Sequence, residues 1–375
     1  MMKKTKVLQF IHGFSMGGAE TLTKEYCLKL DREKFDVSVL CFHRYHTPYE
    51  KILEEAGVNV VYASDYIKNY DKIAFRYPGR LFMLAKRWIF LKNYMKDFKP
   101  DVIHLHMALS IYVLLANLSK STKIMRTMHT EPKRRWNKSI GRRLDLWATH
   151  QLMKKYPMQF ITLHEDMKNE INEIFHVNNS VILNNGIDFS RFDHALDKKT
   201  VREREGIPQN ACVIGHVGRF NEVKNHKFLV EVFEKIHKKD KNTFLLLVGN
   251  GSTQKKVEKQ LKESGLEHCY KILSKRTDIP DLLNAMDKFV FPSTSEGLGI
   301  ALIEAQKAGL TCIASTAVPR AATVSNLVTQ LDLEAGADVW AEEVSKICAD
   351  EVTYNGIEAW DLDKIVRSLE KLYVS

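Results

Sequence analysis

Short apolar segments with the length of strands alternate with helical stretches along the whole chain. This alternation is typical of parallel sheets whose strands are joined by crossover helices. The segments expected to form strands are 6–11, 37–41, 58–62, 102–106, 123–128 and 159–163 in the first half, and 212–217, 243–248, 270–273, 288–291 and 311–314 in the second. The sequence therefore predicts the α/β class, with a doubly wound, Rossmann-like unit in each half.

The chain is long enough for two domains with cores of their own, since it has 375 residues. An Asn-Gly turn at residues 185–186 marks the expected boundary. We assign residues 1–187 to an N-terminal domain, 188–355 to a C-terminal domain and 356–375 to a terminal segment with a helix at 360–373. The ligand site of two such units is expected in the cleft between them.

The segment that follows the predicted strand 288–291 ends in a helix with an acidic residue inside it. The helix is expected to run from about Gly299 to Ala308 and to be closed by Gly309. It is apolar on nearly all sides, so we expect it to be buried. Glu304 lies within it, and a lone buried carboxylate costs several kcal/mol unless it accepts hydrogen bonds.

Two interpretations of this segment are open. Gly297 and Gly299 leave backbone N–H groups accessible at a helix N-terminus, which is a ready site for a phosphate, and Glu296 and Glu304 would flank it. In the other interpretation, Glu304 is a structural acid that pairs with an arginine or a backbone amide elsewhere.

The same residues carry a resemblance to a known family. Residues 291–305 read Phe-Pro-Ser-Thr-Ser-Glu-Gly-Leu-Gly-Ile-Ala-Leu-Ile-Glu-Ala, which resembles the signature of retaining glycosyltransferases of family 4, with the GT-B fold. The resemblance implies that Glu304 binds the ribose of a nucleotide sugar and that Glu296 lies beside the donor sugar. The amides that would hold the diphosphate belong to Gly297, Leu298 and Gly299. In this fold the last helix commonly packs back on the N-terminal domain.

A glycine-rich turn follows the first predicted strand. Gly17 and Gly18 open a predicted helix, and glycines there let the backbone approach a ligand closely. The turn resembles the Gly-Gly-Ala-Glu loop of the family, which lies over the donor phosphates and the acceptor. The alternative is a tight strand-to-helix turn without a ligand.

Two cations follow the first strand of the second half. Gly218 and Arg219 come directly after this strand and Lys224 follows five residues after Arg219, so that both cations could neutralise a departing diphosphate. The pattern resembles the Gly-Arg…Lys motif of the family, whose Arg and Lys grip the diphosphate. Ordinary surface charges are the alternative.

Gly249 and Gly251 follow the predicted strand 243–248 and match half of the dinucleotide-binding fingerprint. The other half is missing, since position 254 is Gln and no acid ends the following strand, so we do not expect NAD. We assign Gly249 to the donor-binding residues instead.

Three histidines lie at or near predicted strand ends. His129 matches the cleft histidine of the family, which contacts the donor sugar, and we count it among the catalytic residues with Arg219, Lys224 and Glu296. His104 and His106 alternate along one strand, so we interpret them as one face of it and not as metal ligands.

The positive charge of the chain is concentrated in its first half. Residues 1–187 contain 30 Lys and Arg against 18 Asp and Glu, a net charge of +12, whereas residues 188–375 contain 26 against 28, a net charge of −2. Basic residues alternate with Trp and Phe in the segments 76–99 and 133–155, a pattern that suits an anionic membrane surface. Solvated helix faces are the alternative, and nucleic acid is not expected because no binding motif accompanies the charge.

The sequence predicts a cytoplasmic protein, peripheral at the inner face of the cell membrane. No stretch approaches the roughly 18 apolar residues of a membrane span, and residues 7–11 are too short for the apolar core of a signal peptide. The six cysteines form no Cys-x-x-Cys pair, so a zinc site is not expected.

The resemblance implies a retaining glycosyltransferase, and because Arg219 and Lys224 can neutralise the diphosphate, we expect it to need no metal ion and no cofactor. The resemblance implies a nucleotide-diphosphate sugar as donor, most simply a UDP-sugar, and residues 318–331 with Trp340 resemble a subgroup of exopolysaccharide and capsule assembly. A lipid-linked saccharide is the acceptor expected from that subgroup. The resemblance also implies a front-face displacement and not a double displacement, in line with the lack of an obvious carboxylate nucleophile in the sequence.

Two alternatives remain open. The first is a sugar-nucleotide epimerase or phosphorylase on the same fold, which would release a free sugar or a sugar phosphate. The second is a non-catalytic basic binding protein, which would have no use for Glu304 or for the pair of Arg219 and Lys224.

Overall fold

Two parallel β-sheets form the framework of the protein in a computed structural model, which describes residues 3–67, 79–107, 109–130, 140–346 and 351–375. The chain divides into two compact units, Met1–Gly186 with Leu362–Ser375, and Ile187–Asp361. Residues 356–361, which the sequence analysis placed in the terminal segment, therefore belong to the second unit. The beginnings of the two basic segments, 76–78 and 133–139, lie outside the described residues.

The first unit is built on a parallel sheet. Its strands are β1 Thr5–Ile11, β2 Phe35–Cys41, β3 Asn59–Tyr62, β4 Val102–Leu105, β5 Lys123–Thr127, β6 Met158–Thr162 and β7 Val181–Ile182. Across the described part of the sheet their order is β3-β2-β1-β4-β5-β6-β7. Its helices are α1 Gly18–Lys29, α2 Pro48–Glu55, α3 Ala63–Tyr66, α4 Gly79–Phe98, α5 Ser110–Leu114, α6 Ile140–Lys155 and α7 Glu165–Phe175.

The second unit repeats this plan. Its strands are β8 Cys212–Val217, β9 Thr243–Val248, β10 Tyr270–Leu273, β11 Lys288–Phe291, β12 Thr311–Ser315 and β13 Val328–Leu331, in the order β10-β9-β8-β11-β12-β13 within the described ranges. Its α-helices are α8 Ser190–Asp193, α9 Lys198–Glu205, α10 His226–Lys239, α11 Gln254–Glu263, α12 Ile279–Asn284, α13 Ile300–Lys307 and α14 Gly336–Val344. Short 3-10 turns occupy Glu222–Lys224, Arg320–Ala322, Leu333–Ala335 and Ile357–Trp360.

The predicted α/β class and the parallel pairing are confirmed, and every strand predicted from the sequence is present with small shifts at its ends. β9 is buried along its whole length, as expected for a central parallel strand. The strands β7 and β13 were not predicted. β7 has two residues, and β13 is a half-buried edge strand with Thr329 and Gln330 in its middle, so neither has a clear apolar pattern.

The terminal helix α15, Leu362–Val374, belongs to the first unit. Its apolar face repeats at helical spacing and joins the core of that unit through Leu362, Ile365, Val366, Leu369 and Tyr373. It begins at Leu362 and not at the predicted residue 360, because the residues before it form a separate 3-10 turn. Gly186 lies against its first turn, where an added Cβ would come within 2.6 Å of the Leu362 side chain.

A buried ion pair ties α6 to β5. Arg126 is 1% exposed and donates to Asp145 at 2.6 Å, while Asp145 is also buried. The same guanidinium donates to the hydroxyls of Ser110 and Thr149 at 2.8 and 2.5 Å. Because each charge is hydrogen-bonded, the pair can persist out of water, and it fixes α6 against the strand that ends next to His129.

We expect the substitution Asp145→Asn to lower the free energy of unfolding of the first unit by about 3–5 kcal/mol, since it leaves a buried guanidinium without its counter-charge. Urea denaturation followed by circular dichroism measures this. Glu55→Gln removes the acid of an exposed ion pair with Lys51 and serves as the control, with an expected loss below about 1 kcal/mol. Similar losses in the two variants would contradict the structural role of the pair.

Candidate functional site

The strand order of the second unit places two loops side by side. β9 lies on one side of β8 and β11 on the other, so the order reverses between β8 and β11. All of these strands are parallel, and the loops that leave β8 and β11 therefore begin at the same edge of the sheet. In open parallel sheets this switch point is the usual position of a ligand site.

An ion pair joins the two loops at this point. Lys224 Nζ, on the loop after β8, donates to Glu296 Oε1, on the loop after β11, at 2.6 Å. Both side chains are largely buried, with exposed fractions of 17% and 12%. Lys224 Nζ also lies 4.4 Å from the centre of the buried Phe291 ring, a cation–π contact. A cation and a carboxylate are thus held in one place with little freedom.

One local hydrogen bond and one between loops fix the conformation of the Lys224 loop. The Asn221 side chain accepts from the Lys224 N–H at 3.0 Å and so caps the 3-10 turn. The Thr294 N–H donates to the Val223 carbonyl at 2.8 Å, which ties this loop to the one that carries Glu296. Arg219 lies on the same loop with an exposed side chain, so the structure brings together Lys224 and Glu296 and leaves Arg219 at the surface.

Gly249 lets a third loop, the one that follows β9, approach the loop after β8. Its φ of +152° lies in the region that favours glycine, and an added Cβ would lie 2.0 Å from the Gly218 carbonyl oxygen. Gly251 stands in the same relation to Phe220, with its would-be Cβ 2.2 Å from that carbonyl oxygen. These glycines therefore serve the packing of backbone on backbone, and the role of Gly249 in binding a donor stays a prediction.

Two buried histidines beside Lys224 are held neutral. Burial, together with the charge of Lys224, lowers the pKa of His226 to about 3. Burial also lowers the pKa of His216 well below its usual value, with smaller effects of His226 and Lys224. Near neutral pH the positive charge of the loop after β8 therefore comes from Arg219 and Lys224 and not from these imidazoles.

The helix after the Glu296 loop has the predicted limits. Gly299 precedes α13 with a φ of +96°, and Gly309 follows it with a φ of +78°. The Gly309 N–H donates to the Gln306 carbonyl and the Leu310 N–H donates to the Ala305 carbonyl, both at 3.0 Å. These two bonds are the Schellman motif of a helix that ends at a glycine. Leu298 is buried before this helix, whereas Gly297 is partly exposed.

The prediction that α13 is buried all round is wrong. Ile300, Ala301, Glu304 and Ala308, one stripe of the helix, are all partly exposed. The fully buried polar residue of α13 is Gln306, whose amide donates to two carbonyls and accepts from the Val324 N–H and the Ser325 hydroxyl. Glu304, in contrast, lies on the partly exposed side of the helix.

In the first unit, the glycine-rich turn precedes α1 as predicted. Gly17 is the N-cap residue with an extended φ of −107°, and Gly18 is the first residue of the helix. The tight position is Gly13, where φ is +154° and an added Cβ would lie 2.5 Å from the His43 carbonyl oxygen. Glu20 is buried and accepts from the Ser15 hydroxyl at 2.6 Å, which fastens the turn to the helix.

Three histidines of the first unit, His104, His106 and His129, form one cluster. The rings of His104 and His106 lie 4.2 Å apart, are fully buried and occupy one face of the strand end, as predicted. His129 is partly exposed after β5, and its Nε2 lies 3.2 Å from His106 Nδ1. β4 separates β1 from β5, so the Gly17 turn and His129 both lie at the carboxyl edge of this sheet. Among the described residues, no group of three or more His, Cys, Asp or Glu could hold a metal ion.

Two family models match the chain over most of its length. Residues 16–191 match the model described as Glycosyltransferase Family 4, and residues 197–359 match Glycosyl transferases group 1. The chain belongs to glycosyltransferase family 4. Its units are therefore the two Rossmann-like domains of a GT-B glycosyltransferase, and both groups of residues described above lie inside the matched ranges.

Individual relatives agree with this assignment. The chain is 27% identical to a Bacillus subtilis protein named as glycosyltransferase EpsF, covering 92% of this chain and 88% of the relative. It is 26% identical to the Escherichia coli UDP-Gal:alpha-D-GlcNAc-diphosphoundecaprenol alpha-1,3-galactosyltransferase, covering 80% and 76%. The crystal structure of Anabaena HepE with UDP and glucose has the same fold, with a TM-score of 0.74, 17% identity and coverage of 99% and 100%.

Three residues in or next to this candidate site are not among the residues that the sequence analysis singled out. The sequence analysis took Phe291 only as the end of a strand. It did not single out Asn221, nor Gln306, which stands among the apolar residues of α13. The signal for Asn221 was present, because Asn three residues before Lys224 at a turn is a common cap. Phe291 and Lys224 lie 67 positions apart in the sequence, and their contact depends on the pairing of β8 with β11.

We expect Gly249→Ala to lower the free energy of unfolding of the second unit by about 3 kcal/mol or more, since it combines a strained φ with a clash against the Gly218 carbonyl. Chemical denaturation measures this. Gly265→Ala is the matched control, because Gly265 also has a positive φ but nothing within 4 Å of its would-be Cβ, and should cost about 1 kcal/mol. Equal costs would show that the close approach of the loops does not matter.

Proposed function

We propose that this glycosyltransferase transfers a sugar, with retention of configuration, from a UDP-sugar to a lipid-linked saccharide during synthesis of a surface polysaccharide. The observation that carries the proposal is the Lys224–Glu296 pair at the strand-order switch of the second unit. The E. coli relative is named for a UDP-galactose donor and a diphosphoundecaprenol acceptor, and a Staphylococcus aureus relative, CapH, for capsular polysaccharide biosynthesis.

In this proposal, Lys224 stabilises the departing diphosphate. The bond between the anomeric carbon and the diphosphate oxygen breaks, and negative charge develops on that oxygen. An ammonium that is already fixed by Glu296 and Phe291 stabilises such charge without first being reorganised. Arg219, exposed on the same loop, is a second cation for the diphosphate.

Glu304 and the loop before α13 would bind the rest of the donor. Glu304 lies on the accessible stripe of α13, so its carboxylate can reach a pair of ribose hydroxyls. The amides of Gly297, Leu298 and Gly299 come just before the helix N-terminus, where an anion is favoured. Glu296 would lie beside the donor sugar, and the accessible Glu304 favours this interpretation over a structural buried acid.

The acceptor would be bound by the first unit, with Gly17, Gly18 and His129 near the reacting groups. In a front-face displacement the acceptor hydroxyl attacks the anomeric carbon from the side that the diphosphate leaves. Its proton passes to the departing diphosphate, so that no enzyme nucleophile is needed. The cations of the second unit would do the work that a divalent metal ion does in other transferases.

Kinetics of two variants test this division of roles. We expect Lys224→Ala to lower turnover by about 100-fold or more, comparable to the loss of one oxyanion donor, because its charge acts mainly in the transition state.

We expect Glu304→Ala to weaken binding of UDP in calorimetry while the protein stays folded, because alanine is the best helix former. Transfer from a UDP-sugar to a diphosphate-linked lipid saccharide is measured with and without EDTA and should persist in EDTA.

Two control variants keep this test specific. Lys235→Ala removes a lysine of an exposed ion pair with Asp338 in the same unit and should leave turnover unchanged. Gln306→Ala, two residues from Glu304, should destabilise the fold because it deletes four hydrogen-bond contacts of a buried amide. Normal UDP affinity in Glu304→Ala, or normal turnover in Lys224→Ala, would refute the assigned role.

The first unit is proposed to dock on an anionic membrane surface at the inner face of the cell membrane. None of the helices in the described ranges is long and apolar enough to cross a membrane. α6 instead exposes Ile140, Leu144 and Trp147, at 87%, 46% and 51%, next to the exposed Arg142 and Arg143. Exposed apolar side chains among arginines can enter the headgroup region while the cations meet anionic lipids.

Binding to liposomes tests this docking. Each basic residue near an anionic surface contributes about 1 kcal/mol, so co-sedimentation should rise with anionic lipid content and fall with salt. Combined Arg142→Gln and Arg143→Gln substitutions should weaken it and leave UDP binding intact. Combined Lys238→Gln and Lys239→Gln substitutions, on the exposed end of α10 in the other unit, are the charge-matched control. Equal binding to neutral and anionic liposomes, or none to either, would refute membrane docking.

A further inference from the structure

A chain of buried hydrogen bonds connects the terminal helix to His129. The Tyr373 hydroxyl, on α15, accepts from Gln9 Nε2 on β1 at 2.8 Å. Gln9 Oε1 bonds to His106 Nε2 at 2.7 Å, and His106 Nδ1 lies 3.2 Å from His129 Nε2. The rings of His106 and His129 stack at an angle of 25°. Side chains from three separate elements thus lead to one candidate catalytic histidine.

A second branch of hydrogen bonds starts from the Tyr373 hydroxyl. His104 Nδ1 lies 2.7 Å from the Tyr373 hydroxyl, and His104 Nε2 lies 2.7 Å from the Thr127 hydroxyl. Gln9, His104 and His106 are fully buried and Tyr373 is 3% exposed, so water does not compete for these bonds. Polar groups buried in this way must be matched donor to acceptor at each step.

The protonation of the buried imidazoles limits how the chain can be oriented. Burial lowers the pKa of His104 to about 3 and that of His106 well below its usual value, so each ring is neutral near pH 7. A neutral imidazole has one N–H donor and one acceptor nitrogen. A bond that occupies one nitrogen as a donor therefore makes the other an acceptor.

The orientation of the Gln9 amide sets the direction of every bond. Its oxygen faces His106 Nε2 and can only accept, so that nitrogen carries the hydrogen of His106. His106 Nδ1 is then an acceptor, and the bond to His129 needs a hydrogen on His129 Nε2. At the other end, the Tyr373 hydroxyl accepts from Gln9 and directs its own hydrogen to His104 Nδ1.

We propose that Tyr373, Gln9 and His106 are positioning residues that hold His129 in its Nε2–H tautomer and fix the plane of its ring. Nδ1 of a neutral His129 is then the acceptor nitrogen, so that any group that bonds to it, from the protein or from a ligand, must donate a hydrogen, as a hydroxyl does and a phosphate oxygen does not. The relevance of this to catalysis rests on the proposed function, in which His129 lies near the donor sugar. The tautomer itself does not depend on it.

The tautomer is measured directly by nuclear magnetic resonance of the full-length protein labelled with ¹⁵N in histidine. Protonated and unprotonated ring nitrogens resonate far apart, and loss of one set of signals in His129→Gln assigns the residue. We expect wild-type His129 to be Nε2–H. In Tyr373→Phe the Gln9 amide loses its acceptor and can rotate, so the minor Nδ1–H tautomer of His129 should rise roughly five- to tenfold, the effect of one ordinary hydrogen bond.

Substitutions of His106 form a matched pair. His106→Phe keeps the stacked ring but removes the acceptor, and should raise the Nδ1–H tautomer of His129. His106→Asn places an amide oxygen near the position of Nδ1 and should restore the Nε2–H tautomer. Tyr26→Phe removes the hydroxyl of another buried tyrosine, whose ring stacks on His104, and should change nothing.

Each outcome decides the proposal. A wild-type His129 that is Nδ1–H, or a tautomer that does not change in Tyr373→Phe and His106→Phe, would overturn it. Loss of the folded state in both of these variants would assign the chain of bonds to stability alone and would overturn it too. Transfer of sugar is assayed separately: a protein with the expected tautomers that fails to use any UDP-sugar would refute the proposed function and leave the positioning intact.

Discussion

The parallel pairing of β11 with β8 is the constraint on which the candidate site of the second unit depends. It brings together loops that lie far apart in the sequence, and Lys224 meets Glu296 only because both loops start from neighbouring strand ends. Phe291, the last residue of β11, then provides the aromatic face for the ammonium. Gly249 and Gly251 let the backbone of the loop after β9 lie close to the backbone of the loop after β8. A carboxylate, a cation and a helix start are thereby concentrated at one edge of one sheet.

Several buried polar groups of the protein are paired, and the pairs serve different purposes. Arg126 and Asp145 hold α6 to the first sheet, and their environment requires both charges to be present. Gln306 joins α13 to the segment after β12 through a neutral amide, which avoids the cost of burying a charge. The neutral histidines next to Lys224 and next to His129 carry no net charge into the interior, so the strongest local fields come from a few fixed cations and carboxylates.

The two glutamates of the 291–305 segment differ in their surroundings in a way that fits different roles. Glu296 is already engaged by Lys224, so any anion that approaches the ammonium must share it with this carboxylate. Glu304 lies on the accessible stripe of α13. The apolar composition of the helix suggested the opposite, because Ile300, Ala301 and Ala308 look like core residues. They instead lie on a partly exposed side of the helix.

The sequence by itself determined the α/β class, the parallel strands, the limits of the helix after Gly299 and the family, because these follow from local periodicity, glycine positions and a spaced motif. It also placed His104 and His106 on one strand face. Only the tertiary structure decided that Gln306 and not Glu304 is the buried polar residue, that Lys224 is fixed by Glu296 and Phe291, and that Tyr373 reaches His129 through Gln9 and His106. Those facts depend on which elements become neighbours in the folded protein. The residues of the Lys224–Glu296 and Gln9–Tyr373 contacts lie 72 and 364 positions apart, and contacts at such distances produce no periodic pattern in the sequence.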